Sequence, residues 1–225
     1  MLQFIIMSSP TTVADSLRSR FIVLEGVDGS GKTTQARLLT DWLRAQGVPV
    51  VLTREPGGTA LGEELRGLIL NPDVACSPRA ELLMILAARA HHVATVILPA
   101  LEAGAVVISD RFSLSSLAYQ GFGRGLPLDE IRAADAVATG GVAPDLSLVI
   151  DIPLSVLRQR IGERQDRFEG EGQAFLQRVI DGYHALADDD PTVRLIDGTG
   201  DLEAVQQAVK RVVTSDAPWS MPDRR

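Results

Sequence analysis

The 225-residue sequence predicts a doubly wound α/β fold, a five-stranded parallel sheet flanked by helices. Three observations lead there. Five short apolar runs are almost unbroken in Val, Ile and Leu, as strands buried on both faces require. Stretches with helical spacing separate them. A glycine-rich loop stands between the first run and the first helix, where a parallel sheet places a ligand.

The first strand is "FIVLEG" (21–26), followed by the loop and then by "TTQARLLTDWLRAQG", which puts Ala36, Leu39 and Leu43 on one face and stops at Gly47. "PVVLTRE" (49–55) is the second strand and "AVVISDR" (105–111) the third. Between them "PRAELLMILAARAHHVATVILPALEAG" reads as one long helix with a kink or restart near Pro99. "LSLVIDI" (146–152) and "VRLIDG" (193–198) complete the sheet, and "LEAVQQAVKRVV" closes the chain as an amphipathic helix. "DDDP" (188–191) is a helix end and a solvated turn.

With no internal repeat and no linker, one domain is expected over 21–213. Residues 1–20 read as a loosely ordered extension. Their run of about six apolar residues is too short for a secretory core or a membrane span. The tail, 214–225, has two prolines and no periodicity. A net charge of −7 without a basic block argues against a nucleic-acid partner, and no membrane partner is expected. The single cysteine, Cys76, excludes an intrachain disulfide and fits a reduced, cytoplasmic setting. It reads as an ordinary packed or loop cysteine. His91 and His92 are adjacent on a helix and diverge, so they do not suggest a metal site.

"GVDGSGKTT" satisfies G-x-x-x-x-G-K-[ST] through Gly26, Gly31, Lys32 and Thr33, the signature of the P-loop NTPase fold. Glycines let several backbone N–H groups face one phosphate chain, and the following helix adds its positive N-terminus. The expected ATP contacts are Gly26, Val27, Asp28, Gly29, Ser30, Gly31, Lys32, Thr33 and Thr34. The Thr33 hydroxyl suits Mg²⁺, with Asp110 as the second expected metal contact. Only Lys32 and Lys210 are lysines among 22 basic residues. A chain this rich in arginine places a compact ammonium in the phosphate cradle, where a forked guanidinium would be too wide.

Two polar clusters close neighbouring strands. "TREPGGT" ends the second with Arg54 and Glu55, and "SDRFSLSSLAYQG" ends the third with Asp110 and Arg111. Arg89 on the long helix is expected to reach the same edge. Three converging arginines suit a second phosphate, held bidentately; the plain alternative for each alone is a surface ion pair. "RQRIGERQDRFEGEG" (158–172) carries Arg158, Arg160, Arg164 and Arg167. It reads as a short arginine-rich lid that excludes water and brings a cation to the transferring phosphoryl group, against the alternative of a solvated helix face. Lys32, Asp28 and Arg111, with Arg160 and Arg164 from the lid, form the expected catalytic set.

Together "FIVLEGVDGSGKTTQ", "TREPGGT", "AARAHH", "SDRFSLSSLAYQG", "PDLSLVIDI" and "DRFE" resemble bacterial thymidylate kinases over about residues 20–212. The resemblance implies Mg²⁺-dependent transfer of the γ-phosphoryl of ATP to dTMP by a homodimer. It implies that Arg54, Arg89 and Arg111 hold the acceptor phosphate and the phosphoryl in flight. Glu55, Ser115, Ser116, Tyr119 and Gln120 would line the acceptor site, and Asp28 would face the deoxyribose 3′-hydroxyl. With no basic residue at loop positions 27–30, the chain resembles the branch that carries arginine in the lid. Ile85 stands where the family usually has a phenylalanine that stacks on thymine, with Phe112 as the other aromatic candidate.

Two rivals differ in class. A deoxynucleoside kinase would need a general base for a neutral 5′-hydroxyl rather than several phosphate-binding arginines. A nucleotide-dependent switch would need nucleotide-sensing loops and a water-positioning residue, and "TREPGG" has no role there.

Overall fold

The structure is a computed structural model that describes residues 21–161 and 172–215. All five expected strands form: β1 (Phe21–Glu25), β2 (Val50–Arg54), β3 (Val106–Asp110), β4 (Leu146–Asp151) and β5 (Val193–Asp197). They make one sheet in the order β2-β3-β1-β4-β5, with every pairing parallel. The expected extension 1–20, lid residues 162–171 and the tail beyond 215 lie outside the described residues.

The helices are α1 (Lys32–Ala45), α2 (Ala60–Leu70), α3 (Pro78–His92), α4 (Leu98–Glu102), α5 (Ser113–Ser116), α6 (Leu128–Thr139), α7 (Leu154–Ile161), α8 (Gln173–Asp189) and α9 (Leu202–Ser215). Local chemistry sets several starts. Thr59 caps α2 by accepting from Gly62 N–H, and Ser77 caps α3 by accepting from Ala80 N–H, with Pro78 at a position that needs no N–H. Cys76 lies half-buried in the loop before that cap.

Strand alternation divides the core. Ile22 and Leu24 point to one face, against Leu39 and Leu43 of α1 and Val205, Val209 and Val213 of α9. Phe21 and Val23 point to the other, against Val93, Ile97 and Phe112. The expected long helix over 78–104 is interrupted near Pro99 as foreseen, but its irregularity is a π-helical segment at Val93–Ile97, just before that proline. Proline supplies no N–H to the preceding turn, and a widened turn accommodates that loss. The stretch is apolar and long enough to suggest a membrane span, yet it is the domain's core helix, with Arg89 and His92 buried inside the protein.

Register positions the site. Leu24 and Arg54 both lie level with Asp110, so the carboxyl ends of β1, β2 and β3 stand side by side. The β1 loop, the "REPGG" turn and the "DR" pair therefore open onto one edge.

Candidate active site

The loop after β1 is a cradle built from backbone. Gly26 has φ 131°, and a Cβ there would lie 2.7 Å from the Ile150 carbonyl oxygen. Gly31 has φ 100°, precedes α1 without any side-chain cap, and faces open space. The first N–H groups of α1 are thus left for an anion. Lys32 is buried, and its Nζ donates to Asp28 Oδ1 at 2.9 Å and to the Val27 carbonyl at 3.4 Å. Thr33 Oγ1 donates to Asp110 Oδ2.

Arg111 is the hub of the polar cluster beside this loop. Its backbone has φ 75°, the left-handed region, which a bulky side chain adopts only when its surroundings enforce it. Its N–H donates to the Leu24 carbonyl. The guanidinium donates to Ser115 Oγ at 2.9 Å, Tyr119 Oη at 3.1 Å, Tyr183 Oη at 3.3 Å and Asp28 Oδ1 at 2.9 Å. Burial works against the charge on Arg111, but Asp28, together with Tyr119, Tyr183 and Asp110, more than offsets it and the pKa rises. For Asp28 burial likewise favours the neutral form, yet Arg111 and Lys32 win and hold its carboxyl well below the usual range.

Behind this hub lies Glu25, fully buried at the end of β1. It accepts from the Phe112 and Ser115 N–H groups and from the Ser115 and Tyr183 hydroxyls. Burial raises its pKa, against the pull of Arg111 and these donors. Glu25 thus locks the start of α5 onto β1, which sets where Arg111 and Ser115 stand.

A cavity adjoins the loop, lined by Asp28, Glu55, Ile85, Arg89, Arg111, Ser115, Ser116, Tyr119 and Gln120 among others. Every acceptor-side residue expected from the sequence except Arg54 lies in this wall. Arg89 is 1% exposed and carries three polar contacts: Nε to Glu55 Oε2 at 2.7 Å, and Nη1 to Ser116 Oγ at 3.1 Å and Asp135 Oδ1 at 2.5 Å. Glu55 in turn meets His92 Nδ1 at 2.9 Å, and His92 Nε2 meets Thr53 Oγ1 at 2.6 Å. Removing one member of the Arg89–Glu55 pair would strand a buried charge, a cost of about 3–5 kcal/mol.

Other expected residues sit elsewhere. Arg54 turns out of the cavity to Glu63 at 2.8 Å, because Glu63, already accepting from Gly58 N–H, lies within its reach. It borders a neighbouring cleft with Thr33, Thr53 and Asp110. Arg160 donates to the carbonyls of Ser30 at 3.1 Å and Gly198 at 2.7 Å, bracing the phosphate loop from behind. Arg164 lies outside the described residues. Phe112 borders the cavity but is 0% exposed, with its ring packed edge-on to Phe21 and under the Arg89 guanidinium. No ring face is left for a base to stack on.

Sequence reasoning missed Arg66, Asp135 and Glu81. Arg66 lines the cavity and donates to the Pro56 carbonyl at 2.9 Å. Burial and the neighbouring Arg54 lower its pKa, the mark of a cation short of negative partners. Its place on α2, just after "TREPGG", was the available signal.

The family model for thymidylate kinase matches residues 24–209. A thymidylate kinase of Synechococcus sp. (strain RCC307) is 48% identical over 205 residues, covering 88% of this chain and 96% of that relative. One from Neisseria meningitidis serogroup B is 43% identical over 200 residues, covering 88% and 97%. The crystal structure of thymidylate kinase from Ehrlichia chaffeensis is similar with a TM-score of 0.72 and 36% identity, over 87% of this chain and 98% of that one. With the phosphate loop, the "DR" hub and the arginine-lined cavity on one sheet edge, the chain belongs to the thymidylate kinase family.

Proposed function

We propose that the chain transfers the γ-phosphoryl group of ATP to dTMP, giving ADP and dTDP. The observation that carries this reading is the charge of the acceptor cavity. Arg66, Arg89 and Arg111 line it, while its carboxylates are engaged: Asp28 by Lys32 and Arg111, Glu55 by Arg89 and His92. A neutral 5′-hydroxyl would need a free base. A phosphate monoester already carries an ionised oxygen nucleophile and needs cations that reduce its repulsion from the triphosphate. Thymidine as acceptor is therefore not favoured.

The roles divide by electrostatics. Arg89 is neutralised by Glu55 and Asp135, so its free Nη2 suits a neutral carbonyl of the base better than a phosphate. Arg111 and Arg66 are the cations for the acceptor phosphate. Ile85 and Tyr119 give the base apolar walls, with Ser115, Ser116 and Gln120 as polar contacts. Asp28 stands between the donor lysine and the acceptor arginine, where it can also take the sugar 3′-hydroxyl.

The residues present fit Mg²⁺. Asp110 Oδ1 is buried and has no hydrogen-bond partner among the described residues, and Thr33 Oγ1 is bonded to the other oxygen of the same carboxylate. Thr33 and Asp110 would hold the ion, which would supply charge neutralisation along the phosphates. During transfer an oxygen of the dTMP phosphate bonds to the γ-phosphorus. The bond from that phosphorus to the β,γ-bridging oxygen breaks, and ADP leaves with the electron pair. Lys32 and the α1 N-terminus hold the donor, and Arg111 faces the group between them. Phosphorus NMR of enzyme, Mg²⁺, ATP and dTMP is expected to show dTDP and ADP accumulating together, and chelation of Mg²⁺ to stop both. ADP and inorganic phosphate without dTDP would contradict the reading.

A further inference from the structure

Glu81, in the first turn of α3, is an acid that borders the cavity without lining it. It is 0% exposed and accepts from Gln120 Nε2 at 2.9 Å and from Arg124 Nε and Nη2 at 3.3 and 3.1 Å. Arg124 is itself fixed, with its guanidinium 5.1 Å from the centre of the Phe175 ring. Gln120 is 2% exposed and lines the cavity.

A glutamine amide presents a donor on one side and an acceptor on the other, with nearly the same shape. A pocket that reads a base with glutamine must therefore fix which side faces the ligand. A carboxylate held in an ion pair with a guanidinium can only accept. Gln120 must turn its NH₂ to Glu81, which leaves the carbonyl oxygen to the cavity.

We propose that Glu81, clamped by Arg124, is a positioning residue that fixes the amide orientation of Gln120 and makes the cavity select a pyrimidine with a ring N–H. Thymine and uracil carry a hydrogen on N3 and can donate to Gln120 Oε1. Cytosine presents a bare N3 acceptor there, and two acceptors facing each other in a dry pocket are excluded. Arg89, as a donor-only group, selects a carbonyl at the neighbouring edge in the same sense. The inference rests on dTMP being the acceptor.

The test is Glu81→Gln in the full chain, assayed with dTMP and dCMP. Gln120 and Arg124 Nε share Oε1 of Glu81 while Arg124 Nη2 holds Oε2, so an amide in place of the carboxylate can offer Gln120 either an acceptor or a donor and its orientation is no longer fixed. The KM for dTMP is expected to rise about tenfold, with kcat falling much less, and the dTMP:dCMP ratio of kcat/KM to fall about tenfold or more. An unchanged ratio in a folded variant overturns the proposal. In a Gln120→Ala background, Glu81→Gln is expected to leave the ratio where Gln120→Ala alone puts it; a further fall would mean that Glu81 acts only through packing.

Should Glu81→Gln not fold, the wild-type protein labelled with ¹⁵N-glutamine gives the answer. The Gln120 side-chain NH₂ is expected to keep its protected position beside Glu81 when dTMP is added. Transfer of that NH₂ to the ligand overturns the proposal. Wild-type enzyme that fails to phosphorylate dTMP would sink the functional reading instead, and the two failures are thus distinct.

Discussion

Asp28 accepts from Lys32 and Arg111 on the same oxygen, so a single carboxylate joins the phosphate loop to the Arg111 cluster. That pairing dictates a pH dependence. The folded-state pKa of Asp28 is depressed despite its burial, because Arg111 and Lys32 favour the anion. Its contribution to stability is therefore present above the ordinary aspartate value of 3.8 and is lost as pH falls below it. Asp28→Asn is expected to melt below wild type near neutral pH, with the gap closing as pH is lowered from about 4 towards 2. Melting curves across that range check it, and a gap that is constant with pH contradicts it. The sequence makes Asp28, Lys32, Arg89 and Arg111 legible because motifs with a chemical reason place them. Arg66, Asp135 and Glu81 are not legible, since a charged residue on a helix looks the same whether it faces water or a buried partner. Arg89 and Asp135 meet across 46 positions of sequence, a contact that only folding creates.

Among the elements, the phosphate loop is the least tolerant. A Cβ on Gly26 would collide with the Ile150 backbone of β4, whereas one on Gly67, in the exposed middle of α2, meets nothing within 4 Å. Gly26→Ala is expected to displace the loop and raise the KM for ATP about tenfold or more, as one misplaced contact in an ordered site does. Gly67→Ala should instead stabilise the helix by about 0.5–1 kcal/mol, a rise of roughly 1–4 °C in Tm. Parallel melting and ATP titrations of the two variants test the contrast; a neutral Gly26→Ala would contradict the close approach of β1's loop to β4. Burial on both faces leaves an unbroken apolar run in β1, β3 and β4, whereas the edge strands β2 and β5 are half exposed and were readable by their Val, Ile and Leu content alone. Pro99 marks an interruption near Val93–Ile97, but the π-helical form of that segment and of Leu117–Gly123 was not readable, because a widened turn has no hydrophobic period of its own. Arg54 stands at the expected strand end, but Glu63 decides where its side chain points.

Taken as one object, the chain is acidic, with a net charge of −7, and yet concentrates cations where the carboxyl ends of β1, β2 and β3 meet. Net charge thus describes the surface, while the sheet order gathers Lys32, Arg66, Arg89 and Arg111 into one edge. A cavity built this way stabilises an acceptor that brings its own negative charge, and it offers no unpaired carboxylate among its lining residues to activate a neutral hydroxyl. The most direct measurement compares kcat/KM for dTMP and for thymidine in a coupled ADP-release assay with saturating ATP and Mg²⁺. The account predicts that dTMP is preferred by at least about a thousandfold, because thymidine brings no negative charge to a cationic cavity whose carboxylates are already engaged. Thymidine used as well as dTMP, or better, would contradict it.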